Sequence, residues 1–299
     1  MRTRTIFLAT AAAAAAVLLT ACSSSGSTDA NSAGGHDSMP GMTMSAGPSS
    51  TSHDGMGGMP MSTGSGLSDA VHGYRLRITS QPMSGMAMPV RFVITKDGRP
   101  VTGFQPEQTK LMHFYLIRRD LTGFQHLHPV MDDQGSWTVT PAPLGSGSYR
   151  IYTQFVPKGG AGAIVLGRPL SVGGKAAADV PLPPATRSTT VDGFEVALSG
   201  RVRAGTDSPL QITISKDGRP VTDLQPYLDT YAHVTAIHAG DLAFAHLHPS
   251  GTATGGGGGP RLTVQADLPE PGRYRLFIQF MTGARLHTAA ITVTSGPAG

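Results

Sequence analysis

From Gly73 onward, short runs rich in Val, Ile, Thr, Phe and Tyr alternate with Gly, Pro and Asp at intervals of about ten residues. No stretch there sustains an apolar period of 3.6, so the pattern predicts strands and no helices. Asp97-Gly98 and Asp217-Gly218 are strong hairpin-turn signals. Six or seven strands fit in each of two successive stretches. The expected fold class is therefore all-β, as immunoglobulin-like or cupredoxin-like sandwiches. Two segments depart from this pattern. Residues 6–19 form an Ala-rich apolar run of about fourteen residues, too short to span a bilayer. Residues 23–66, rich in Ser, Gly, Thr and Met, have no hydrophobic period and are expected to be disordered.

The strand-rich region repeats itself. Lys96-Asp97-Gly98-Arg99-Pro100-Val101-Thr102 returns as Lys216-Asp217-Gly218-Arg219-Pro220-Val221-Thr222. Gln105-Pro106 returns as Gln225-Pro226, and His113 returns as His233. Phe124-Gln125-His126-Leu127-His128-Pro129 returns as Phe244-Ala245-His246-Leu247-His248-Pro249, always at an offset of 120. Gln154-Phe155 recurs as Gln279-Phe280 at an offset of 125, the difference falling in the glycine run 255–259. The chain therefore reads as a signal segment (1–21), a tether (22–66), a first repeat (67–180), a Pro-rich linker (181–190) and a second repeat (191–299).

The densest chemistry lies in the histidine hairpins. In the second repeat, residues 231–238 and 242–248 flank Ala239-Gly240-Asp241. A two-residue loop at Gly240-Asp241 sets His233 across from His248. His246 is two residues from His248 and shares its face, roughly 6.6 Å along the strand. The cross-strand separation is roughly 5 Å. The same register sets His113 across from His128, with His126 beside it. Imidazole suits Cu(II) and Zn(II), whose bonds to nitrogen are about 2.0 Å long, so three such rings could close on one ion. Pro129 and Pro249 hold the preceding histidine extended. The hairpin's open end, and so each site, is expected at one end of its sandwich. Phe124 and Phe244 share the histidine face, which allows the alternative that these histidines are structural. His238 faces the other way, and His287 has no counterpart.

Six of the 13 methionines fall in the tether: Met39, Met42 and Met44 near His36, and Met56, Met59 and Met61 near His53. No core could absorb them there, and thioether sulfur is a soft ligand suited to Cu(I). Met83, Met86 and Met88 form a third cluster in the first repeat. Its counterparts Arg203, Thr206 and Ser208 are not methionine, so the fold does not require methionine there. Cys22 is the only cysteine, which excludes disulfides, a blue-copper site and cysteine-held clusters in the repeats. Charge is sparse and no Lys/Arg cluster appears, so no nucleic-acid partner is expected. No carboxylate is set beside the histidines by the hairpin register, so the chain is not expected to be an enzyme.

Leu19-Thr20-Ala21-Cys22, after a basic start and an apolar run, resembles the lipobox of bacterial lipoproteins. That resemblance implies a lipid on Cys22 and a place on the extracytoplasmic face of the cell membrane. The Met and His tracts resemble metal-binding tracts of bacterial copper-resistance proteins. The tandem pattern resembles a group of actinobacterial secreted proteins and lipoproteins, and its opening portion is similar to YtkA-like and FixH-like extracytoplasmic β-domains. Together these imply a membrane-anchored copper-binding lipoprotein, with Cu(I) on the Met clusters and Cu(II), or zinc as second choice, on the His triads. Its partner would be a metal transporter or another envelope protein. The alternative is a non-catalytic envelope interaction module.

Overall fold

The computed structural model describes residues 63–297, apart from residues 161 and 254. Every regular element among the described residues is a strand. No helix there is long and apolar enough to cross a membrane. The all-β expectation holds, and the chain forms two tandem antiparallel sandwiches.

In the first half, Tyr74–Ile78, Val90–Lys96 and Ser136–Val139 are consecutive neighbours in one sheet. Ile164–Val172, Gly147–Pro157, His113–Arg118 and Gln125–Leu127 follow one another in the facing sheet. Alternation sends Phe92, Ile94, Phe114, Leu116 and Trp137 into the space between them. Phe92 stacks on Phe114 and on Trp137, with ring centroids 5.6 and 6.3 Å away.

The second half repeats this plan, but its two layers join into one nine-stranded sheet folded over a common core. The joining strand is Phe244–Pro249, which pairs with His233–His238 on one side and with Arg261–Ala266 on the other. In the first half the corresponding run is interrupted at His128-Pro129, between Gln125–Leu127 and Val130–Met131. The two layers there stay separate sheets.

The hairpin registers are as expected: Tyr115 pairs with His126, and Thr235 with His246. The turn differs. His238 N donates to the Ala243 carbonyl and Leu242 takes a left-handed φ of 66°, so four residues, not two, cross the loop. The register survives because both loops share the same midpoint. Residues 63–66, expected within the disordered tether, are pinned to the sandwiches. Thr63 N donates to the Ala163 carbonyl (2.7 Å), and the Arg150 guanidinium donates to the Gly66 carbonyl (2.7 Å). Residues 63–66 make these bonds through backbone groups, so no hydrophobic pattern announces them. The strand Ser188–Val191 opens the second half.

Phe114 and Leu116 point into the first core, so His113, Tyr115 and Ile117 point outward; yet all three are buried. The outward faces of the two histidine sheets cover one another. Tyr115, Ile117 and Tyr152 of the first half form one apolar cluster with Ile237, Phe244 and Phe277 of the second. Phe124 stacks on Phe277 with centroids 4.0 Å apart, and the Tyr152 hydroxyl donates to the Leu242 carbonyl (2.6 Å). Every histidine of both hairpin motifs except His238 lies at or near this junction, not at free ends of separate sandwiches.

Candidate metal centre

His113 begins its strand, His126 lies in the strand beside it, and His128 follows just past that strand's end, two residues on, so all three share the outward face. Their ring centroids are 4.8 to 5.2 Å apart. One ligand nitrogen from each falls within 4.8 Å of the others. This is the one such His, Cys, Asp or Glu group among the described residues. His113 and His126 are buried, at 1% and 8% exposure, and His128 is half-buried.

The proton count is the informative feature. His113 Nε2 lies 3.0 Å from the Glu107 backbone carbonyl and donates to it. His126 Nδ1 lies 2.7 Å from the Gln279 side-chain oxygen and donates likewise. A neutral imidazole has one N–H, so in both rings the proton points outward. His113 Nδ1 and His126 Nε2 then face each other across 3.0 Å, lone pair to lone pair. Two nitrogens bound to one tetrahedral ion at about 2.0–2.1 Å stand about 3.3 Å apart. His128 Nε2 is buried beside them with no hydrogen-bond partner. Without an ion, the chain closes only if the Gln279 amide turns over and the His126 proton moves to Nε2. Either amide orientation satisfies the buried Gln279, with His126 on one side and Thr288 on the other.

Extra protons do not resolve the opposition. Burial, with a further push from the Lys110 charge, lowers His113 to about 4, and burial, followed by His113 and Lys110, lowers His128 to about 3. Burial followed by its histidine neighbours holds His126 well below its ordinary value of 6.5. All three are neutral near pH 7 and able to offer lone pairs.

The loop that carries Glu107 is strained. Gln108 and Thr109 both take left-handed φ, 45° and 71°, inside a turn closed by Glu107–Lys110 backbone bonds. The turn presents the Glu107 carbonyl to His113 and sends Gln108 across the junction to His246 Nε2, 3.4 Å away. Glu107 Oε2 accepts from Gln154, and burial raises this carboxyl above its usual range.

The second-half histidines sit differently. His233 is fully buried, stacks on His126 with centroids 4.7 Å apart, and has Nε2 3.3 Å from the Tyr115 hydroxyl. His246 lies 4.8 Å from His233 and 5.3 Å from His248, centroid to centroid. The three do not form a ligand group as compact as the first. Met83 and Met86 are exposed and Met88 half-buried in the loop before Val90. Cys22, His36, Met39, Met42, Met44, His53, Met56, Met59 and Met61 lie outside the described residues. His238 bonds Asp241 and His287 bonds Asp192, each at 2.7 Å.

Gln279, Gln108 and Tyr115 were not singled out from sequence. Gln154 and Gln279 were visible only as markers of the repeat. Their signal was a polar amide inside an otherwise apolar strand, at the same place in both halves.

Fold and site together define a tandem β-sandwich protein with a histidine cluster buried between its halves. A family described as a domain of unknown function (DUF8832) matches residues 69–165 and again 189–296, and the chain belongs to that family. No curated protein matches. Among solved structures, InvD of Yersinia pseudotuberculosis is 14% identical at a TM-score of 0.24, over 77% of this chain and 59% of that one. The fibronectin(III)-like modules of Clostridium thermocellum CbhA are 12% identical at 0.20, over 75% and 95%. Titin domains z1z2, solved in complex with telethonin, give 12% and 0.20, over 75% and 98%. Likenesses this slight carry no functional argument.

Proposed function

We propose that this chain is a membrane-anchored extracytoplasmic protein that binds copper, for sequestration or for hand-off to a membrane transporter. The observation that carries the reading is the facing pair His113 Nδ1 and His126 Nε2, 3.0 Å apart, with both outer nitrogens donating to carbonyl oxygens. That is the arrangement in which outer partners fix the tautomer of metal-binding histidines. His128 Nε2 would be the third ligand and would leave a fourth position open. Imidazole donors suit Cu(II), with zinc as the runner-up. The Met clusters at 39–44, 56–61 and 83–88 supply soft thioether donors for Cu(I), with His36 and His53 beside the first two. The anchor rests on the lipobox-like Leu19-Thr20-Ala21-Cys22.

With Gln279 reversed, the same histidines become polar cement between the halves, and the chain reads as an interaction module. Cu(II) spectroscopy on the full chain separates the two. Copper binding expects nitrogen coupling from the triad, lost in His113→Ala and His126→Ala. A spectrum the same in wild type and both variants would sink the triad as a copper site.

A further inference from the structure

A cleft of about 250 Å³ opens in the second half, lined by Ser65, Phe244, His246, His248 and Asp267 among others. His246 is 8% exposed, and its Nδ1 is buried with no hydrogen-bond partner. Its Nε2 is held by Gln108, whose side-chain oxygen is also buried without a partner. Turning that amide over lets the Gln108 oxygen accept the His246 Nε2–H and leaves the Nδ1 lone pair free. His248 is half-buried beside it.

A carboxylate completes the set. His248 pairs with Gln265 across the strands, and Asp267, two residues past Gln265, lines the same cleft as both histidines, although the three sets of donor atoms are not drawn within 4.8 Å of one another as the triad's are. Asp267 and Asp207 both act electrostatically on His248. At the offset of the later repeat markers, the first half has Ala142 where the second has Asp267. His233, the expected third ligand, is instead engaged with Tyr115 and does not line the cleft.

We propose that His246, His248 and Asp267 form a second, chemically distinct cation site, which takes a divalent transition metal such as Zn(II) with positions left open to solvent. Two imidazoles and one carboxylate form a borderline donor set of the kind zinc accepts. The proposal deepens the metal-binding reading but uses none of the triad's ligands, so either can fail alone. Each site also takes its orienting amide from the opposite half: Gln279 for His126, Gln108 for His246.

The test is a Zn(II) titration of the detergent-solubilised full chain against a competing chelator, because zinc discriminates against the thioether tracts. Wild type is expected to hold one zinc that Asp267→Asn and His248→Ala each weaken at least about tenfold. His128→Ala should leave that zinc in place while weakening the other. Asp267→Asn keeps the side chain's size, and an unchanged melting curve separates a lost ligand from a lost fold. If zinc binding is the same in wild type, Asp267→Asn and His248→Ala, the cleft site is overturned, and the triad stands where His128→Ala weakens the zinc that remains. If only the His128→Ala variant is unaffected, the triad fails and the cleft stands.

Discussion

Gln279, rooted in the second half, places its side-chain oxygen 2.7 Å from His126 Nδ1 in the first half. A candidate ligand from one sandwich is thus oriented by the other, and the histidine cluster is incomplete in either half alone. Gln279→Leu should weaken Cu(II) affinity by about 10- to 100-fold, because His126 loses the partner that fixes its tautomer. Gln279→Glu should retain affinity or raise it, since a carboxylate accepts the same N–H. Chelator competition on both variants checks this. Equal affinities in wild type and Gln279→Leu would reduce Gln279 to packing.

Metal should act as a stabilising ligand. An ion that binds only the folded chain adds about 2.7 kcal/mol at a hundredfold excess over its Kd. Differential scanning calorimetry should show a copper-dependent rise in Tm, reversed by chelator and absent in His126→Ala.

The metal-free protein should lose stability on acidification. His113 titrates at about 4 and His128 at about 3 when folded, against an ordinary 6.5. Above pH 6.5 both states are neutral and the stability is fully present. Below it the unfolded chain takes up protons first, so unfolding becomes easier from about pH 6.5 down toward 3. Denaturant midpoints across that range should fall, and His128→Gln should fall less steeply.

The apolar part of the junction should carry the docking of the halves. Phe244 packs against Tyr115 and Tyr152, with centroids at 4.9 and 5.3 Å. Phe244→Ala should cost about 3–5 kcal/mol. Calorimetry should also show the single transition broadening or splitting as the halves uncouple.

What the sequence determined follows from local rules. Strand alternation put His113, His126 and His128 on one face, and the hairpin midpoint fixed Tyr115 opposite His126. The repeat offset carried the same arrangement to His233, His246 and His248. The lone Cys22 kept cysteine chemistry out of the sandwiches. Alternation says which residues share a face, but nothing about what covers that face. Only the tertiary structure laid the two histidine faces against each other, which buried them and brought Gln279 to His126 and Gln108 to His246. It also separated the halves chemically, since His233 turned to Tyr115 while Asp267 came to the cleft. The contacts of Gln279, Gln108 and His233 join residues more than a hundred positions apart, and no pattern within either repeat encodes a partner that lies in the other.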